Sequence, residues 1–551
     1  MTTSDYFGSC YPVDGAAHFR LRLALRSLFY RPLSYRALSL RLLPVISARA
    51  NQMFGFDLRS LAVMRIGLGG VLAADLLQRS IALKAHYTDE GVLPRALMLG
   101  LANPGIGLYR LFGGVGPVIA LACVSLLAAL ALTVGFHTRV TCIASWVLLV
   151  SLQNRNPFVY HSGDDLLRLV LFWGMFLPLG ARFSVDALRE PAPTSGRGNQ
   201  IISVGTLGLF WQLVCLYLFL FDHKMMGTAW RNGTAVYDAL SVEQYRSSFG
   251  TALLGFPTLL PFFTHAILIQ QALTVVLLVS PILIGPVRLL AVLGVIATQL
   301  GFGLCFKLGT FPWITSFATL AVLPGWFWDK LEPAALKTVE HAPLPAEEPE
   351  PLFRLGQMVK LAMGVVAVLS IASITLWNLS QAGAKFGWAG SELSFEETML
   401  ARFAIALRLD QRWSMFSPNP QTEDGWFVLE GTLVDGARVD LLPDLVGAGI
   451  DPDSADRATA RGIRWEKPGL ISSQFTDQRW LLYFLQLIGA PTAVQLRGFA
   501  DYVCRFWNGM EPRSQALRRF ALQYMRFEHL PEGKTTPVEK VQLIAGSCPG
   551  A

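Results

Sequence analysis

Charge is scarce in this chain. Of its 551 residues, 15% are Asp, Glu, Lys or Arg, against about 25% in an ordinary soluble domain. With 52% of residues hydrophobic, a water-soluble fold would expose too much apolar surface, which excludes a soluble globular protein. Metal and phosphate patterns are missing too. The eight histidines are scattered without an H-E-x-x-H, and the seven cysteines include no C-x-x-C pair, so no metal or redox centre is expected. Cys123, Cys142, Cys215 and Cys305 lie inside apolar runs and read as packing residues. Only Cys504 and Cys548 are placed for an extramembrane disulfide, provided that their side is oxidising. Phosphate loops, G-x-S-x-G elbows and nucleotide fingerprints in proper context are absent. The N-terminal stretch also lacks the compact apolar core of a signal peptide and instead carries Arg20, Arg22, Arg26, Arg31, Arg36, Arg41, Arg49 and Arg59. The first span is therefore expected to act as the insertion signal.

What the chain does have is long apolar blocks, several near the roughly 20 residues that cross a hydrocarbon core of about 30 Å. They predict an all-α polytopic membrane bundle of about nine spanning helices, followed by a small α+β extramembrane domain. The expected spans lie near 57–80, 114–135, 139–153, 165–180, 201–221, 257–284, 287–306, 309–326 and 358–378. The corresponding division is a basic N-terminal arm (1–55), a membrane domain of about eight spans (56–326), a Pro/Glu-rich linker (327–357), a last span (358–380) and a C-terminal globular domain (381–551). The arm reads either as interfacial amphipathic helices or as a basic segment without fixed structure. The net charge of +7 is dispersed instead of forming one stripe, so nucleic acid is not an expected partner; the lipid bilayer, with its anionic headgroups, is.

Orientation follows from the arginines. The positive-inside rule puts the N-terminus in the cytoplasm, and nine spans then put the C-terminal domain outside, as in a multi-pass protein of a bacterial inner membrane. In that domain Trp426–Val434, Asp435-Gly436 and Ala437–Leu442 read as a β-hairpin. Helices are expected near 475–489 and 493–508, and a further strand over 516–530.

Two polar clusters interrupt the apolar blocks. In the first, Asp222, His223 and Lys224 arrive at the end of a span, followed by Trp230 and Gly233. Lys224 there is either a snorkelling residue with Trp230 in the aromatic belt, or a partly desolvated amine able to act as a general base. The second runs from Gln153 through Asn154, Asn156, Tyr160, His161, Asp164 and Asp165 to Arg168. Its plain reading is a helix cap at Asp164 with an Asp–Arg pair; its functional reading is a cavity wall in which His161 titrates near neutrality. Arg65 and Asp75 sit ten residues apart in the first span, about 15 Å along one helix. Each therefore needs a partner elsewhere and is assigned a structural role.

Several of these pieces, in order, resemble the HTTM family, the horizontally transferred transmembrane domain that also forms the membrane part of vitamin K-dependent γ-carboxylase. They are Leu61–Gly67 with Asp75, Tyr87–Arg95, Asn154–Asn156, Gly163–Arg168 and Leu177–Asp186, then Lys224 with Trp230 and Gly233, Phe311-Pro312, and Trp413–Pro420. The resemblance implies a cytoplasmic N-terminus and an exoplasmic C-terminal domain. It also implies Lys224 as the catalytic base and a reduced quinone of the vitamin K type as cofactor. In the enzyme reading Asn154, Asn156, Tyr160, His161, Asp164, Arg168, His223 and Trp230 are expected to bind, with Trp413 structural. The chain departs from the carboxylase pattern at Phe158, where that enzyme has a histidine, and from many HTTM members at Gln299. Three functions compete: a carboxylase-like enzyme modifying a peptide, lipid or quinone at the outer face; a non-enzymatic maturation or immunity partner of a secreted peptide; and a transporter, for which the internal repeats are not evident.

Overall fold

Six helices among the described residues are long and apolar enough to cross a membrane: Leu58–Ile81, Val115–Val134, Val204–Met225, Pro257–Val279, Ile284–Cys305 and Gln357–Ala382. The computed structural model describes residues 52–101, 107–189, 199–331, 353–386, 398–447, 462–475, 477–489, 491–530 and 533–549. The expected interfacial arm (1–51) and most of the expected linker (332–352) lie outside them. Residues Phe54–Ala551 group as one unit.

The elements used below are β1 (Phe56–Asp57), α1 (Leu58–Ile81), α2 (Val115–Val134), α3 (Thr138–Arg155), α4 (Ser162–Gly174), β2 (Gln200–Ile201), α5 (Val204–Met225), α6 (Leu260–Val279), α7 (Ile284–Cys305), α8 (Phe311–Leu320) and α9 (Phe353–Phe386). Local chemistry starts them. The Asp57 carboxylate accepts from Arg59 N–H to open α1, and Ser203 forms a capping box with Thr206 at α5. β1 and β2 pair antiparallel and tie these two helix entries together.

Burial separates inner from outer helices. The apolar windows of α1 and α5 are 67% and 72% buried, whereas those of α2, α6, α7 and α9 lie between 22% and 28%. Outer helices that keep Leu127, Phe262, Ile269, Leu293 and Val368 exposed make sense only against lipid. The three remaining expected spans are helical but too short or too polar to cross on their own. α3 carries buried Thr138, Ser145, Ser151, Gln153 and Asn154. α4 and α8 have 13 and 10 residues, about 20 and 15 Å of helix against a core of about 30 Å. α4 packs on α3, α5 and α8 and is buried at nearly every position from Gly163 to Gly174. A short, capped helix survives at that depth because protein, not lipid, surrounds its ends.

The C-terminal region contains β3 (Glu423–Leu433), β4 (Arg438–Asp440), α10 (Gln478–Gly489), α11 (Ala493–Met510), β5 (Leu517–Glu528) and β6 (Glu539–Ser547). The four strands form one antiparallel sheet in the order β4-β3-β5-β6. The expected hairpin is present: Gly436 has φ of 87°, and Asp435 Oδ1 accepts from Ala437 N–H. β3 is buried on both faces, so its side chains serve two cores by alternation. Phe427 meets Phe475 and Phe484, while Trp426 and Val428 cluster with Ile471. The last strand, β6, was not anticipated; its end is fastened to α11 by the Cys504–Cys548 disulfide.

Candidate functional site

The polar residues singled out in the sequence fall into three separate groups. In the first, Asp75 on α1 and Asp164 on α4 are bridged by two guanidiniums. Arg79 binds Asp75 at 2.7 Å and Asp164, and donates to Tyr87 Oη at 2.6 Å. Arg479 on α10 binds Asp75 at 2.7 Å, also binds Asp164, and donates to Val159 O at 2.8 Å. All four charged groups are buried, so two acids and two bases balance inside a low dielectric. Asp164 additionally accepts from His161 N–H at 2.9 Å, and His161 Nδ1 accepts from Gly163 N–H at 2.9 Å, a reciprocal cap of α4. This setting departs from the reading in which His161 titrates near neutrality. Burial, which opposes charging the ring, holds it down to about 4 despite the neighbouring Asp164.

The second group surrounds Arg168. It donates to Gln153 Oε1 at 3.0 Å and to Asp410 O at 2.6 Å, and pairs with Asp165 at 3.1 Å. Arg408 donates to Asn154, and Asn156 donates to His86 O at 2.9 Å. Burial, with Asp165 next in effect, pushes the Tyr160 phenol up. Arg65 behaves similarly on the other side of the bundle, donating to Leu179 O at 3.0 Å and to Phe183 O. These contacts join helices and loops by satisfying buried polar groups.

The third group is built around Lys224, near the end of α5. Its side chain is 2% exposed. Among the described residues no carboxylate lies within 4 Å of Nζ; its one described partner is the Trp230 ring, 5.1 Å to the centroid. Trp230 is itself held, its indole N–H donating to Phe416 O at 2.8 Å. The segment 413–420 closes over this corner. Asn419 Oδ1 accepts from Ala229 N–H at 2.9 Å, and Pro418 O passes so near Gly227 that a Cβ there would lie 1.6 Å away. The same segment is anchored in the bundle at Gln411. Its side-chain oxygen accepts from Trp413 at 2.8 Å and from Gln212 at 2.7 Å, and its carbonyl accepts from Trp377 at 3.0 Å and Gln381 at 2.7 Å. His223 Nδ1 contacts Phe219 O at 2.6 Å and stands 3.9 Å from Asp222.

Residues 55–326 match the family model described as the HTTM domain. This chain carries an HTTM domain. No curated protein and no solved structure matched it in the same comparisons. The HTTM domain and its apolar helices make the chain a multi-pass membrane protein. Within the HTTM domain, the structure brings Asp75, His161 and Asp164 together, and Lys224 with Trp230, but it does not place Lys224 in contact with the first set. Lys224 is on the wall of none of four prominent cavities among the described residues. The nearest by shared residues, about 400 Å³, has Phe416, His161, Tyr245 and Gln478 on its wall. Phe416 also packs with Trp230, so one residue touches both that cavity and the ring that Lys224 faces.

Reasoning from the sequence missed Arg79, Tyr87, Arg408, Gln411 and Arg479. Arg79 was findable, being four residues after Asp75 on one helix face. The others lie far away along the chain. Among the described residues no group of three His, Cys, Asp or Glu side chains is arranged to hold a metal ion.

Proposed function

We propose that this HTTM-domain protein is a membrane enzyme acting at the outer face, with Lys224 as the general base on a peptide, lipid or quinone. The observation that carries this reading is the setting of the amine: buried, facing an aromatic ring, without a carboxylate to hold it as an ammonium, and covered by a segment of separate origin. In the proposed step Nζ takes a proton from an acidic O–H or C–H of the substrate and becomes an ammonium over the Trp230 face, where cation–π attraction stabilises the product charge. Reaching Nζ requires movement of the 413–420 segment. Phe416 is held there at φ of 55°, a left-handed conformation that costs a bulky residue about 1–3 kcal/mol and is often found at functional sites.

Lys224 lines none of four prominent cavities among the described residues, so no step is routed through a reduced quinone of the vitamin K type. The quinone chemistry that the carboxylase resemblance implies is accordingly not carried over. The closed lysine also favours a second reading, a non-enzymatic maturation or immunity partner of a secreted peptide, in which Lys224 only packs. For orientation, the Cys504–Cys548 bond supports a C-terminal region on an oxidising side. Together with an arginine-rich N-terminus in the cytoplasm of a bacterial cell, this orientation needs an odd number of crossings, so α3, α4 and α8 would have to complete at least one crossing beyond the six.

The test is covalent amine modification of the purified chain at one alkaline pH, mapped by mass spectrometry. Modification of Lys224 that rises in Phe416→Ala is expected for a gated base. A Lys224 that stays unmodified in both proteins, while other lysines react, would sink the enzyme reading and favour the packing role.

A further inference from the structure

The largest of the four cavities, about 790 Å³, lies between the end of α1 and the C-terminal helices. That volume is within the range of about 300–1,000 Å³ that small-molecule sites occupy. Ile81, the last residue of a membrane-spanning helix, is on its wall and 72% exposed, and Met510 on the same wall is 53% exposed. The cavity therefore has an apolar lip at the level where a span leaves the hydrocarbon.

Inside, the lining is aromatic and charged: besides Asp477 and Arg505 the wall carries Asp444 and the exposed Lys84–Glu90 pair. Trp480, Tyr502 and Phe506 stand in a row, with ring centroids 6.0 and 5.7 Å apart. Asp477 lies beside them. Its Oδ1 accepts from Arg479 N–H at 2.9 Å, and its Oδ2 has no hydrogen-bond partner among the described residues. Nearby cations do not neutralise it: Arg79 and Arg479 are committed to Asp75 and Asp164. His86 Nε2 is 4.0 Å away, but burial keeps that ring uncharged at physiological pH. A second unbalanced group has the opposite sign. Arg505 donates to Gly91 O at 3.0 Å, and among the described residues no carboxylate lies within 4 Å of it.

An aromatic face beside an unbalanced carboxylate suits an organic ammonium, and an unpaired guanidinium on the same wall suits a phosphate. We propose that this cavity holds the zwitterionic headgroup of a phospholipid, its ammonium against Trp480 and Tyr502 on the Asp477 side and its phosphate at Arg505. The apolar lip at Ile81 would then take the start of the acyl chains. This site is separate from Lys224 and holds whether or not that residue is a base.

The experiment uses the full chain in detergent and native mass spectrometry with four probes: dihexanoyl phosphatidylcholine, dihexanoyl phosphatidylethanolamine, dihexanoyl phosphatidylglycerol and tetramethylammonium. Saturable binding of the two zwitterionic lipids, tighter than the glycerol lipid, is expected. Asp477→Asn and Arg505→Gln should each weaken it about tenfold, the scale of one desolvated cation–π or charge-assisted contact. Phe506→Leu, which thins the aromatic wall without touching a charge, serves as a third variant, and unfolding temperatures verify that all three remain folded. Equal binding of the glycerol lipid, or variants that are folded yet unchanged in affinity, would overturn the site. Tetramethylammonium binding as tightly as the choline lipid would overturn the lipid as its occupant and assign a soluble amine.

Discussion

Arg479 reaches back 404 residues along the chain to hold Asp75 at 2.7 Å. A C-terminal helix thereby supplies one of the two cations that balance two buried carboxylates of the HTTM domain. This contact makes the C-terminal region part of the membrane domain's own stability.

Arg479→Met should therefore be among the most damaging single changes. It leaves Asp75 and Asp164 with one guanidinium between them, and breaking a buried pair by removing one partner costs about 3–5 kcal/mol. Thermal unfolding of the purified protein would read this as a large drop in midpoint. An unchanged midpoint would mean that the four-residue network contributes no net stability.

Lys224→Met removes a buried amine that has no carboxylate partner among the described residues. The unfolding temperature should stay equal or rise, since a methionine of similar length buries no polar group that needs a partner. Any base-dependent activity should vanish in the same variant. Early unfolding would instead give Lys224 a structural role.

Gly227→Ala probes the cover over Lys224. The new Cβ would lie 1.6 Å from Pro418 O, a backbone atom, so the 413–420 segment must shift; overpacking of this kind costs about 1–3 kcal/mol. Increased chemical modification of Lys224 is the expected readout.

The pH dependence of stability has a sign that can be worked out from groups outside the spanning helices. His86 and His161 are held down by burial to about 3 and about 4, against about 6.5 in an unfolded chain. A depressed histidine contributes stability above its unfolded value and loses it as pH falls toward the folded one, because the unfolded chain binds the proton first. Asp440, pushed up to about 6 by burial, acts oppositely, and its contribution is lost as pH rises through about 6. Asp165, likewise pushed up to about 6 by burial, and Asp477, raised by burial, act with Asp440, so the histidine contribution, a fall in unfolding temperature as pH is lowered from about 6.5 to about 4, is read as the difference between the parent protein and His86→Gln. His86→Gln should lose its part of that fall.

The disulfide closes a 44-residue separation, worth about 4 kcal/mol by the chain-entropy argument. A Cys504→Ser, Cys548→Ser protein should unfold earlier by a corresponding amount. In intact cells, thiols released by reduction should react with a membrane-impermeant reagent if the C-terminal region faces outward; labelling only after lysis would reverse the proposed orientation.

Much of this architecture was legible in the chain itself. Hydropathy marks the helices that cross the membrane because lipid demands about 20 apolar residues of each, and α1, α2, α5, α6 and α7 lie where those blocks are. The ordered motifs around Arg65, Asp75, Asn154, Asp164 and Lys224 were enough to indicate an HTTM domain. The hairpin at Asp435-Gly436 followed from the backbone freedom of one glycine with φ of 87°.

What tertiary structure alone decided are the partners. A buried ionisable group needs a counter-charge, but nothing in local sequence says which distant segment brings it, so Arg479 for Asp75 and Phe416 for Trp230 became visible only in the fold. The lengths of α4 and α8 were decided in the same way. Their apolar blocks suggest spans, yet protein around them takes the place of lipid and permits helices of about half the usual length. Sequence by itself determined which residues must leave water; the packing determined which of them meet.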